Sequence, residues 1–429
     1  MTASSPKDYS SRLDIYFILA LILSVPSIPF LRYGFGDFEI PIAMPIIVVY
    51  SCIKIWLLMD APKGLETEPG ITMLMVVLFM WSTASVLWAT APEFAFRRLV
   101  SRGYQTYFVL LAINCCCFSP VAIMRLGRLL PLAILVPVAI GFYGFFTLPE
   151  PPHFQFSYEY PRVLGDRNSD TFMVLTAWPL ALAMTCGASQ TVIWRFSGLI
   201  AALLTGGAVF FSLSRANLLG AMAVALVLLT VDSVLKKTRP LMVFVVASVF
   251  LGSMLLGASV FEDHLDQTLG QWQQRFDKVD DNQRWAFNRG AWELVDRHPI
   301  TGVGLNNFRV TFQTTQAGRQ AEQDYNPHNS FLGTWSELGF PGLIVFTCIV
   351  LWPLSCYIRL FPHVLRSGDL ILGQIYVGGL GLCLVLILSI LAYNFAEDFY
   401  YWIAYVFVSL IALALKRGLR SPLMGSPLD

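Results

Sequence analysis

HNSFLGTWSELGFPG, residues His328 to Gly342, is the stretch on which the reading of this chain turns. A long polar run, 262–328, precedes it, and an apolar run extends from it to residue 357. His328 therefore stands where a loop re-enters a membrane helix. An imidazole ordinarily titrates near about 6.5, so its neutral form can take a proton from an attacking hydroxyl at neutral pH. The preceding Asn326-Pro327 restricts the backbone there. A histidine at a helix start also serves as a cap or a satisfied structural group, and position alone leaves both readings open.

Working outward, the 429 residues are 56% hydrophobic and only 13% charged, with a mean hydropathy of +0.61. That is too little charge to cover a water-soluble globule, so most helices must meet lipid. The expected fold is all-α: a polytopic membrane protein, a single integral membrane domain over 1–429. At about 20 apolar residues per crossing, windows centre on 13–31, 40–59, 70–90, 103–118, 128–148, 170–187, 192–212, 216–234, 240–261, 329–357, 372–393 and 397–415. This predicts about 12 transmembrane helices, with one large periplasmic loop, 262–328, between the ninth and tenth. The net charge of +1 gives no argument for nucleic acid. The first apolar stretch follows Arg12 without a small-residue cleavage site behind it, so it reads as a span rather than a removed signal peptide.

All eight cysteines fall in or at the ends of apolar segments, which argues against a disulfide framework and against a Cys-based metal site. The Cys115-Cys116-Cys117 run reads as packing. The histidines show no metal-ligand spacing, so no metal and no cofactor is expected. No nucleotide-binding loop or Gly-x-Ser-x-Gly elbow is present either.

Charge gives the orientation. With the N-terminus inside, inner segments collect Lys7, Arg12, Lys63, Arg125, Arg128, Arg195, Lys236, Lys237, Arg239, Arg359, Arg366, Lys416, Arg417 and Arg420. The short outer loops hold fewer: Arg32, Arg97, Arg98, Arg102, Arg162, Arg167 and Arg215. Both termini are thus expected in the cytoplasm and the long loop in the periplasm. Basic clusters on the outer side oppose that signal. They gather an anion, or they contact headgroups and pair with Glu93, Glu150 and Asp166.

Within the loop, 284–297 has the pattern of an amphipathic interfacial helix, its tryptophans toward lipid, ending at His298-Pro299. Gly302-Val303-Gly304 reads as a tight turn, and 313–325 as a polar, mobile run. Arg215, Arg284, this turn and His328 all fall on the outer face and can meet if the loop folds back. Two arginines can hold a diphosphate through planar, permanently charged donor forks. Arg215 in its four-residue turn can also be a headgroup anchor. Arg289 lies about 140° around the helix from Arg284, which argues against both serving one phosphate.

The pattern His328-Asn329, nine residues, Gly339, two residues, Gly342 resembles the signature of the O-antigen ligase and polysaccharide polymerase superfamily. Arg162 to Asn168, Ser214-Arg215, Arg284 and His298 to Gly304 follow the family's order over the second half of the chain. The resemblance implies an inner-membrane, multi-pass glycosyltransferase, metal-independent and without cofactor. It implies donors linked to undecaprenyl diphosphate, with Arg215 and Arg284 holding the diphosphate and His328 as the base. Arg289, Asn329, Arg162, Arg167, Arg98 and Arg102 are possible secondary contacts, with Arg97 beside them. The acceptor is then lipid A-core, for an O-antigen ligase of lipopolysaccharide biosynthesis, or a growing glycan, for a polymerase. Protein-glycosylating relatives usually carry a soluble domain after the last span, which does not fit a chain read to Asp429. A reading of another class, a transporter of lipid-linked saccharide, needs functional charges near mid-membrane, where the spans hold little beyond Lys54.

Overall fold

The computed structural model describes residues 6–24, 32–35, 38–41, 43–60, 68–116, 118–147, 167–187, 190–235, 270, 282–320, 327–393 and 399–420. Its long helices are α1 (Pro6–Ser24), α2 (Ala43–Asp60), α3 (Pro69–Ala84), α4 (Pro92–Cys115), α5 (Pro120–Thr147), α6 (Arg167–Cys186), α7 (Val192–Phe211) and α8 (Arg215–Leu235). After the loop helices α9 (Asn282–Arg297), α10 (Phe308–Phe312) and α11 (Gln316–Gln320) come α12 (Ser330–Ser367), α13 (Leu370–Ala392) and α14 (Phe399–Arg420). Every predicted window except the ninth overlaps a helix, and that window, 240–261, lies outside the described residues.

Among the described residues, six helices are long and apolar enough to cross a membrane, and shorter apolar helices run over Leu13–Ile22, Pro45–Lys54, Thr171–Cys186 and Arg215–Val231. The chain is a multi-pass membrane protein. Its bundle is graded from centre to rim: 94% of the apolar window of α14 is buried, against 28% for α3. Small residues set the closest crossings, as expected where lipid offers no hydrophobic drive between helices. A Cβ on Gly198 of α7 would stand 2.9 Å from the Ala181 carbonyl of α6.

Local chemistry fixes the helix ends. Prolines occupy the first turns of α3 and α4, where a missing N–H costs nothing. Asp369 caps α13 by accepting from the amides of Ile371 at 2.7 Å and Leu372 at 3.1 Å, and Gly368, at φ 65°, ends α12.

The all-α expectation holds, with one small addition: a short antiparallel hairpin of β1 (Arg32–Phe35) with β2 (Phe38–Pro41). Two expectations need correction. Helix α4 begins eleven residues before its apolar window, so Arg97, Arg98 and Arg102 ride on a helix rather than in a loop, and Arg102 is buried. Hydropathy alone cannot see this, because the arginines depress the window that they help to build. Helix α12 runs ten residues past its window, and a non-helical residue, Gly339 (φ 69°, ψ −174°), kinks it one quarter of the way along.

The membrane charge noted at Lys54 is neutralised locally. Lys54 Nζ lies 2.6 Å from Asp14 Oδ1, and Tyr50 donates to the same oxygen at 2.8 Å, with all three side chains buried between α1 and α2.

Candidate functional site

The described part of the loop, 282–320, is a small folded unit built on the first turns of α12. Phe287, Ala291, Leu294 and Val295 of α9 pack with Val303, Phe308, Phe312, Ala317 and Leu332 in a core separate from that of the bundle. The tryptophans of α9 stay outside it: Trp285 is 73% exposed, and Trp292 meets Trp335 edge to face at 5.4 Å. Helix α9 stops at Arg297, and His298 is exposed. The run expected to be mobile is instead ordered through Gln320, because Glu293 accepts from the amides of Gln316 (2.7 Å) and Ala317 (3.3 Å). Residues 321–326 lie outside the described set.

The Gly302-Val303-Gly304 turn docks on the kink of α12. The Val303 and Gly304 amides donate to the carbonyls of Ser336 and Glu337, each at 2.9 Å. The buried Glu337 carboxylate accepts from the amides of Asn306 (2.9 Å) and Phe308 (3.3 Å). Trp81 of α3 donates to the Leu338 carbonyl at 2.7 Å, and Trp88 to the Thr301 carbonyl at 3.0 Å. Asn307 completes the joint by accepting from the Ala91 amide at 2.6 Å.

This docking gives the spacing of the motif a physical meaning. Asn329 caps α12, its Oδ1 accepting from Phe331 and Leu332 at 2.9 and 3.0 Å. A straight segment follows to Gly339, whose left-handed backbone presses on the Ile300 carbonyl, where a Cβ has no room. Asn329 and Gly339 thus mark the two ends of a rigid spacer. His328 sits at one end and the loop joint at the other.

His328 is half-buried between the two layers: its ring lies 6.1 Å from Phe287 of the loop core and 6.1 Å, edge to face, from Tyr393 at the end of α13. Tyr393, which sequence reasoning did not single out, is the junction. Its hydroxyl is 3.2 Å from Ser214 Oγ, the residue before Arg215, and its carbonyl accepts from Ser330 Oγ at 2.9 Å. One buried tyrosine thus connects the start of α8, which bears Arg215, to the start of α12, which follows His328. Both helices present their positive N-terminal ends at this point. An arginine, two helix N-termini and an imidazole in one place suit an anion and a proton transfer.

The remaining predicted residues are more scattered. Arg284 occupies the first turn of α9, one turn before Phe287, and its side chain lies outside the described set. Arg289 is exposed and 4.0 Å from Glu293. Arg98 and Arg102 lie on α4, whose Tyr104 and Phe108 pack against Phe399 of α14 at 5.0 and 5.4 Å. Arg162 is outside the described residues, and Arg167 opens α6 with its side chain likewise outside.

Residues 200–347 match the model of the family described as O-antigen ligase. The interval contains Arg215, Arg284, the docked turn, His328, Gly339 and Gly342. It supports the O-antigen ligase and polymerase superfamily that the His328 motif resembles. No curated protein matches the chain.

Proposed function

We propose that this protein transfers a glycan from undecaprenyl diphosphate to an acceptor hydroxyl on the periplasmic face of the inner membrane, as the ligase that joins O-antigen to lipid A-core. The carrying observation is the Tyr393 junction, which brings the Arg215 end of α8 and the His328 end of α12 onto one buried residue. In the proposed reaction the acceptor oxygen attacks the anomeric carbon of the donor while His328 takes its proton. The bond from that carbon to the phosphate oxygen breaks, and undecaprenyl diphosphate leaves with the electron pair. Arg215, with Arg284 from the first turn of α9, holds the charge that develops on it. Because two guanidinium groups supply that charge, activity survives chelation.

The test is His328→Ala in proteoliposomes with a polyprenyl-diphosphate glycan donor. Membrane insertion is retained and transfer falls by about 10²-fold or more, the scale of a lost general base; wild-type turnover would remove the assignment. Deleting the gene then separates ligase from polymerase. Finished polymer held on the carrier marks a ligase, and single repeat units on the carrier mark a polymerase.

A further inference from the structure

At the opposite end of the bundle, α5, α6, α13 and α14 line a narrow crevice that is open along one side. Its walls are apolar, Leu180, Ile375 and Ile411 among them, and Arg128 stands at its edge. The Arg128 guanidinium lies 5.1 Å from the Trp194 ring and donates through Nη2 to Met124 Sδ at 3.8 Å. Gln190, itself buried, donates from Nε2 to the same sulfur at 3.7 Å. Each keeps one buried polar atom with no hydrogen-bond partner among the described residues: Arg128 Nε, a donor, and Gln190 Oε1, an acceptor.

Native proteins rarely leave such atoms empty-handed, and here a donor and an acceptor flank one sulfur at the mouth of an apolar crevice. Arg128 Nε calls for an anionic oxygen, and the exposed Arg125 one turn earlier adds charge of the same sign. Gln190 Oε1 calls for a hydroxyl. The surroundings say where that ligand comes from. Next to Trp194 on α7, Val192, Ile193 and Phe196 are 81%, 76% and 63% exposed, a surface made for acyl chains rather than for water.

We propose that this crevice binds an anionic phospholipid of the phosphatidylglycerol class. One acyl chain enters between α5 and α13, the phosphate accepts from Arg128, and a glycerol hydroxyl donates to Gln190. This site is independent of the transfer chemistry proposed at the other end.

The test uses the full chain, purified in detergent and delipidated, with thermal unfolding and native mass spectrometry as readouts. Phosphatidylglycerol raises the unfolding temperature and remains bound, whereas phosphatidylcholine does neither. Arg128→Met weakens retention by about tenfold, the scale of a lost charge-assisted hydrogen bond. Gly127→Leu also removes binding. A Cβ there meets nothing within 4 Å, so the leucine can grow into the crevice without a clash at its root and leave the fold intact. Wild type prefers phosphatidylglycerol over phosphatidylmethanol, which lacks the hydroxyl, and Gln190→Leu erases that preference. Equal stabilisation by phosphatidylcholine, an equal shift from soluble glycerol phosphate, or wild-type retention by Gly127→Leu would each overturn the proposal.

Discussion

Tyr393 shows what a single residue can carry in this molecule. Its hydroxyl, its carbonyl and its ring are each engaged with a different part of the candidate site, so substitutions can separate the parts. Tyr393→Phe keeps the ring against His328 and the backbone bond to Ser330 but loses Ser214, the neighbour of Arg215. A neutral hydrogen bond contributes about 0.5–1.5 kcal/mol, so the expected result is a rise in donor KM of about two- to tenfold, with kcat nearly unchanged. Tyr393→Ala removes the ring as well and lowers kcat. Steady-state kinetics with varied donor distinguishes these outcomes, and an unchanged KM in Tyr393→Phe would detach Tyr393 from donor binding. Sequence made His328 and Arg215 visible because a titratable ring at a span start and an arginine in a short turn are local anomalies. Tyr393 is not anomalous. It sits in an aromatic-rich apolar run, and its partners are 179 and 63 residues away, a proximity that only the packed bundle creates.

Among elements, the kinked helix α12 decides whether the loop is seated. Gly339→Ala places a side chain where the backbone needs a left-handed conformation, at about 1–2 kcal/mol, and drives its Cβ against the Ile300 carbonyl. The expected outcome is faster proteolytic cleavage within 282–320 and loss of transfer, with the membrane-embedded fragment intact. Glu337→Ala should loosen the same joint from the other side, by stranding the amides of Asn306 and Phe308 at about 1–3 kcal/mol; cleavage at the wild-type rate in both variants would mean that the joint does not hold the loop. The helices themselves were legible, six of those described through an apolar run long enough to cross a bilayer and four more through a shorter one. Their ends were less so. The arginine-bearing first turns of α4 fail a hydropathy window although they are helical, and the kink depends on a glycine pressed by a turn 39 residues upstream. The turn at Gly302 was readable as a turn from its glycines, but not its berth on Glu337, which requires knowing the path of α12.

At the scale of the whole molecule, charge is stored in two ways, and each makes a prediction. Inside the bundle the Asp14–Lys54 pair fastens α1 to α2 where water cannot screen it. Removing one member takes the opposite charge away from a buried ion, at about 3–5 kcal/mol, whereas replacing both with apolar residues is often close to neutral. Lys54→Met should therefore lower the unfolding temperature of the purified protein sharply, and Asp14→Leu in the same chain should restore most of it. A double variant no better than the single one would show that Tyr50 and Cys116, which are 3.3 Å apart beside the pair, need the carboxylate for themselves. Along the bundle axis, the basic residues Arg125, Arg128, Arg195, Arg359, Arg366, Lys416 and Arg417 lie at the end opposite His328, the end that the proposed reaction requires in the cytoplasm. Two exposed positions report on this: Trp285 on the loop and His363 near the end of α12. In a chain with its native cysteines replaced, Trp285→Cys should react with a membrane-impermeant maleimide from the periplasm, and His363→Cys only after the inner membrane is opened. The reverse pattern would put His328 in the cytoplasm, where no glycan on a flipped carrier could reach it, and the proposed reaction would fall with it.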